Sequence, residues 1–263
     1  MDKASVGGVL LGAFGVVGGL LLEGGKVSQI LQPTAAMIVF GGTAGAVLLQ
    51  FPLPVVGNAL RSLATVFFAS GEKLESGIEL LVRLANVARR QGIVQLDSEL
   101  EKIEDPFLRK ALMLAVDGTE PQELRKIMDL ELDNQSERKE RLHAVFESAG
   151  GFSPTVGIIG AVLGLIQVMQ HLDKMDEVGR GIAVAFVATI YGVGAANLVF
   201  LPAAGKLRIR MREGLVRNEM MLEGVISILE GMNPRMLEIK LRSFLEHSEV
   251  EVKAKAEAEA AGT

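Results

Sequence analysis

Four stretches of the chain contain no Asp, Glu, Lys, Arg or His, and each can cross a bilayer as a helix, which takes roughly 20 apolar residues. They run from Ala4 to Leu22, within Val27–Leu60 (chiefly Thr34 to Val56), within Ser148–Gln170, and from Gly181 to Gly205. One such stretch fits a buried helix of a soluble protein; four in 263 residues point to the membrane. The composition agrees. Hydrophobic residues make up 49% of the chain while 22% are charged, and the two populations are segregated along it. The expected fold is an all-α polytopic membrane protein. It has four transmembrane helices, a large helical cytoplasmic domain between spans two and three, and a helical C-terminal tail. The corresponding segments are 1–56 and 150–205 for the two hairpins, 57–149 for the domain and 206–263 for the tail. The first span follows a single lysine and lacks a small-residue cleavage site, so it reads as a retained helix rather than a signal peptide.

Lys and Arg set the orientation. Thirteen lie between Pro54 and Gly150 and ten from Ala203 onward, against three in the two short connections (Lys26, Lys174, Arg180). Lys206, Arg208, Arg210 and Arg212 directly follow span four, a strong cytoplasmic mark. Both termini and the long loop are therefore expected on the cytoplasmic side of the membrane. Glycines in the spans recur four apart, at Gly8/Gly12, Gly15/Gly19, Gly41/Gly45 and Gly160/Gly164. Small residues at that spacing let backbones approach in lipid, within one chain or between subunits.

The charged segments read as helices. Glu72 to Gln91 has a helical apolar period through Leu74, Ile78, Leu81, Leu84 and Val87, ended by Gly92. Pro106 starts another turn. Thr119, Pro121 and Gln122 form a helix start, from which a charged helix runs through Glu147 into span three. The tail predicts helix from Lys206 to about Leu229, a break at Asn233-Pro234, a second helix to about Phe244, and a solvated end from Val250 to Thr263.

Several functions find no support. The chain has no cysteine and three scattered histidines, so neither disulfides nor a metal-ligand spacing occurs. It shows no phosphate loop, nucleophile elbow or paired-histidine motif, and neither an enzyme activity nor a cofactor is expected. With one Tyr, no Trp and no basic patch, it lacks the means to bind nucleic acid. Ion-conducting proteins usually place a carboxylate or histidine in the bilayer. Here the spans offer only hydroxyls, prolines and glycines, and their one titratable group is the phenol of Tyr191, a poor proton carrier at a reference pKa of about 10. If an ion gradient drives this protein, the titrating acid comes from another chain. Pro154 near the start of span three reads as a helix-starting proline. Pro202, near the end of span four, cannot donate to the carbonyl of Leu198, leaving a free acceptor, a kink or a helix end. Thr189 shares a face with Ala185, Gly192 and Ala196, where another helix can lie close; alternatively its hydroxyl bonds back to its own helix.

Gly151-Phe152-Ser153-Pro154-Thr155-Val156-Gly157 opens span three. Span four holds Ala188-Thr189-Ile190-Tyr191-Gly192, then Ala196-Asn197 and Pro202. With Arg89-Arg90-Gln91-Gly92 through Asp97 and Gly231-Met232-Asn233-Pro234-Arg235, these make the chain resemble the MotA/PomA family of flagellar stator subunits, from span one to about Leu245. The resemblance implies a ring, five subunits in the usual picture, around a dimer of a single-span MotB-like partner whose aspartate carries the ion. It also implies torque on the rotor protein FliG through charged helices. The family's rotor-facing arginine falls on Arg89, with Arg90 adjacent, and the acidic counterpart on Asp97. Its functional prolines fall on Pro154 and Pro202, and its channel threonine on Thr189. Sodium-driven relatives tend to carry hydroxyls where this chain has Ala161 and Ala188, which favours protons. The alternatives are an ExbB/TolQ-like energiser, which usually has three spans, and a non-conducting membrane scaffold.

Overall fold

The computed structural model describes residues 3–68 and 74–245, and these are almost wholly helical. Helix is what lipid demands, because a spanning segment must satisfy its backbone amides internally. The helices are α1 (Lys3–Leu22), α2 (Pro33–Gln50), α3 (Leu53–Phe68), α4 (Leu74–Gln91), α5 (Asp97–Leu100), α6 (Pro106–Val116), α7 (Pro121–Gln170), α8 (Met175–Ala195) and α9 (Leu201–Leu229), followed by helix α10 over 234–245. Among the described residues, three helical stretches are long and apolar enough to cross a membrane, in Pro33–Gln50, Pro121–Gln170 and Met175–Leu229, with Val6–Leu22 as a shorter apolar helix. The expected solvated end from Val250 onward lies outside the described residues, as does the expected helix start at Glu72.

Two expectations are corrected, and one alternative is removed. Span two does not reach Val56: α2 stops at Gln50, and Phe51 turns extended at φ −121° and ψ 140°. Phe51 precedes Pro52, whose ring disfavours helical geometry at the residue before it. Pro154 does not start a helix, because it lies inside α7, a single helix of 50 residues. Pro202 does not end one either. The backbone passes through a π-helical turn at Ala196–Phe200 and continues as α9 for 29 residues. In that turn the Leu201 N–H reaches back to the carbonyl of Ala196. The wider turn accommodates a proline that has no N–H of its own and would otherwise crowd the preceding turn.

The chain divides into two compact units, residues 1–70 with 138–210, and 71–137 with 211–263. In the first, two small clusters are buried. One joins Val47, Ala59, Val145, Phe146, Ala149, Ala204 and Leu207, and the other joins Ala35, Val39, Val187 and Ala188. Much of its apolar surface stays open, including Ile158, Ile159 and Met169 on α7 and Phe186, Ile190 and Val193 on α8. Such a surface suits lipid or neighbouring subunits.

The second unit has a core of ordinary soluble character, built on Leu81, Leu84, Leu96, Leu108, Leu112, Leu124, Met128, Met220, Val225, Leu237 and Leu241. Around it, carboxylates tie distant helices. Oδ1 of Asp105 caps α6 by accepting from the N–H groups of Phe107 and Leu108, each at 2.9 Å, while Oδ2 accepts from Arg217. Glu223 accepts from Arg125 at 2.6 Å and from Lys240. Burial pushes the Glu223 carboxyl up, but the hydrogen bonds from Lys240 and Arg125 outweigh it and hold it below the usual carboxylate range.

Two outcomes follow for this unit. Replacing Asp105 with Ala removes a cap worth about 1 kcal/mol and the carboxylate facing Arg217; a total near 2 kcal/mol should lower the thermal midpoint of its unfolding by several degrees. Because the Glu223 carboxyl titrates lower folded than unfolded, its stabilisation is present above the unfolded value of about 4.3 and is lost as pH falls through the lower folded value. Thermal scans of Glu223→Gln should therefore lie below those of the parent at pH 7 and converge with them in acid.

Candidate functional site

The candidate site is built on a seam between α7 and α8 that only the smallest residues permit. On α7 the contacts fall at Gly157, Gly160 and Gly164, and on α8 at Gly181, Ala185, Ala188 and Gly192. Spacings of three and four keep each set on one helical face. A Cβ built on Gly157 would stand 2.9 Å from the Ala188 carbonyl oxygen and 3.2 Å from Cα of Gly192. One on Gly164 would stand 2.7 Å from the Gly181 oxygen, and one on Gly192 would stand 2.6 Å from the Ser153 oxygen. Ser153, wholly buried, donates its hydroxyl to the Gly192 carbonyl at 3.0 Å and closes the seam at that level.

The seam shows one of the two uses expected of the glycine pairs. Gly160 and Gly164 pack within the chain. Gly8, Gly15, Gly19, Gly41 and Gly45 meet nothing within 4 Å, and Gly12 meets only the side chain of Leu198, at 3.4 Å. The sequence marks the Gly160/Gly164 pair and the face of Ala185 and Gly192, but neither Gly157 nor Gly181 is singled out for packing. The signal was present as small residues at 181, 185, 188 and 192.

The expected site residues take distinct places around this seam. Ala188 is sealed inside it with no exposed surface, and Ala161 is half-buried. Thr189 lies at the seam's edge, part-buried, and its hydroxyl bonds back to the Ala185 carbonyl at 3.2 Å. The local bonding expected as one alternative is thus the one found. Tyr191 points elsewhere: its hydroxyl donates to the carbonyl of Ile30 and accepts from the N–H of Gln32.

The neighbourhoods of the two prolines meet. Pro154 deprives the Gly150 carbonyl of its helical donor. Leu201, beside Pro202, packs directly over Gly150, where an added Cβ would meet Leu201 Cδ2 at 2.5 Å. Pro202 itself is exposed. Among the described residues no cluster of His, Asp and Glu is placed to hold a metal.

In the other unit, Gly92 at φ +85° turns the chain out of α4, a conformation that glycine adopts without strain. A tight turn over Ile93–Leu96 leads to α5, anchored by fully buried Leu96. Arg89 and Arg90 occupy the last turn of α4, and Asp97 opens α5. All three are exposed, and among the described residues no ion pair engages them. Cations at a helix C-terminus and an anion at an N-terminus are each favourably placed. The turn thus presents both signs on one short stretch.

Residues 99–220 match the MotA/TolQ/ExbB proton channel family, and residues 6–92 match the Motility protein A N-terminal family. Motility protein A of Bacillus subtilis is 36% identical over 247 residues, covering 93% of this chain and 91% of the relative. Chemotaxis protein PomA of Vibrio alginolyticus is 30% identical, covering 93% of this chain and 96% of the relative. Among solved structures, the C. jejuni MotAB complex includes a chain that aligns with a TM-score of 0.88 at 32% identity, covering 93% of this chain and 96% of that one.

The seam carries its own test. Gly192→Ala should sharply lower the amount of folded protein in the membrane, since the added methyl would overlap backbone atoms of α7 that cannot rotate away. Gly45→Ala, with open space around it, should leave the chain's own folding unchanged. Immunoblots of membrane fractions, with trypsin resistance of the extracted protein, distinguish the two.

Proposed function

The chain belongs to the MotA/TolQ/ExbB proton channel family as a flagellar stator subunit, and we propose that it couples inward proton flow to torque by turning as a ring around a partner that carries the ion. The ring is a pentamer, and the partner is a dimer of single-span, MotB-like chains. Each subunit crosses the inner membrane four times, through α1, α2, the apolar half of α7, and α8 with the start of α9. Both termini and the charged helices lie in the cytoplasm, as the basic run from Lys206 to Arg212 supports.

What carries this reading is a deficiency. The apolar stretches hold no Asp, Glu, Lys, Arg or His, and the Tyr191 hydroxyl is committed to the Ile30 carbonyl. Nothing in them can shuttle a proton, so the acid is supplied in trans. Among their polar offerings are the Thr189 hydroxyl at the edge of the open face and the backbone freed by Pro154 and Pro202. Proton use is favoured because a proton needs one acceptor and a water path, whereas dehydrated sodium needs several oxygen ligands. Ala161 and Ala188 supply none. The chain's resemblance to the Motility protein A N-terminal family over residues 6–92 weighs against an ExbB/TolQ-like energiser.

On the cytoplasmic side, Arg89, Arg90 and Asp97 form the surface that pushes on FliG. Exposed charges uncommitted within the chain are the ones available to steer a charged partner. Their contribution is expected in torque rather than in folding.

Rotation of tethered cells carrying this chain and its partner tests the reading. Speed should track the proton gradient and be indifferent to sodium. Pro202→Leu and Thr189→Ala should reduce it severely in complexes that still assemble. Reversing Arg89 or Asp97 singly should cut torque several-fold with membrane content unchanged; normal torque in both reversals would remove the rotor-contact assignment. An assembled complex that never rotates with its own partner would argue for an energiser or scaffold instead.

A further inference from the structure

Tyr191 is the chain's single tyrosine, and its side chain engages the segment that joins α1 to α2. That segment is irregular: a tight turn over Val27–Ile30, then extended backbone at Leu31 and Gln32. The Tyr191 hydroxyl donates to the Ile30 carbonyl and accepts from the Gln32 N–H at 3.3 Å, so one oxygen serves both a donor and an acceptor of this non-helical stretch. The ring stacks on Phe40 of α2, centroids 5.9 Å apart with the planes at 29°. Val184, Val187 and Tyr191 on α8 all pack towards Ala35 and Val39 of α2.

Two contacts therefore fix how α8 is rotated about its own axis. One is the glycine seam with α7, along Gly181, Ala185, Ala188 and Gly192. The other is the Tyr191 side, held to α2 and the segment before it. Two residues along an α-helix turn through roughly 200°, so Thr189 points almost opposite to Tyr191. It is left at the edge of the open face that carries Phe186, Ile190 and Val193. Across the seam one side-chain hydrogen bond, from Ser153 to the Gly192 carbonyl, opposes a roll of α8. The hydroxyl of Tyr191 supplies two directional bonds on the far side.

We infer that Tyr191 is a positioning residue for ion coupling: its hydroxyl, hydrogen-bonded to Ile30 and Gln32, sets the roll of α8 and so aims Thr189. This rests on Thr189 serving the ion pathway, as proposed above. The residue acts through geometry, without handling the proton.

The deciding variant is Tyr191→Phe, which keeps the stack on Phe40 and deletes only the hydroxyl. Phe40→Leu does the reverse. Because the chain has no cysteine, single cysteines at positions 186, 189, 190 and 193 give a clean map of the exposed face of α8 by their rates of reaction with a small methanethiosulfonate. The map is taken on complexes captured through the partner. Tyr191→Phe should assemble, shift the reactivity pattern around the helix, and lower torque per stator at least threefold in stepwise motor resurrection. Phe40→Leu should leave the pattern in place. An unchanged pattern in Tyr191→Phe overturns the inference, as does normal torque per stator despite a shifted pattern. Failure of Tyr191→Phe to assemble also overturns it, because the hydroxyl would then serve folding. Normal torque in Thr189→Ala, by contrast, would remove the ion-pathway reading while leaving the reactivity map to judge the roll of α8.

Discussion

Between α7 and α8 the backbones approach closely enough that a methyl group on Gly157, Gly164 or Gly192 would overlap main-chain atoms of the facing helix. In lipid the hydrophobic effect gives helices no reason to associate, so van der Waals contact and buried hydrogen bonds must hold them. Small residues allow the longest uninterrupted contact of this kind. Ser153 adds a hydrogen bond to a carbonyl that already belongs to a helix, which costs the membrane nothing in unsatisfied groups. The seam and the contact of Tyr191 with the segment before α2 together fix the remaining placements. Ala188 is sealed, Thr189 is brought to the edge, Tyr191 is turned to α2, and the outer faces remain apolar for lipid or for other subunits.

Much of this was legible in the sequence, because segregation of charge is a coarse and robust signal. The helix start near Pro121 and the break at Asn233-Pro234 fall where the chain's pattern puts them, and apolar helices lie within the charge-free stretches. Proline was the main source of error. Pro154 resembles a helix-starting residue when viewed locally, yet α7 enters from its charged half already formed, and that half extends through more than thirty residues before Pro154. At Pro52 the opposite happened. The rule that a residue before proline avoids helical geometry was available, but an uninterrupted apolar run to Leu60 concealed the break at Phe51. The seam was half legible: spacing reveals a small-residue face, but only coordinates say which facing helix fills it. The contact of Tyr191 with Ile30 and Gln32 joins residues about 160 positions apart and has no local signature.

The charged helices show how one composition serves two ends. Glu223, Asp105, Arg125, Arg217 and Lys240 are engaged with one another across distant helices and act as internal ties. Arg89, Arg90 and Asp97 stand exposed on either side of a glycine turn. Surface charge was visible in the sequence for both groups. What separates them is commitment: a charge already neutralised inside the unit has little left for a partner, whereas one held at a rigid turn by buried Leu96 keeps its field available.

A motor subunit needs a rigid element to transmit force and polar backbone where an ion passes, and these requirements conflict inside a membrane. On the proposed mechanism the two prolines supply the polar backbone, Pro154 within the α7–α8 contact and Pro202 beyond it. Pro154 withdraws a donor from the Gly150 carbonyl, and Leu201 covers the same residue from α9. The π-helical turn at Ala196–Phe200 absorbs Pro202 without stopping the helix, and the backbone continues as α9 to Leu229. π-turns of this kind are uncommon and concentrate where function demands irregular backbone. On the proposed mechanism, the partner's carboxylate meets polarity that comes from main chain and a hydroxyl, groups that do not titrate near neutral pH. Charge then changes on the partner alone, and each ring subunit can present an equivalent, neutral landing site as it moves past.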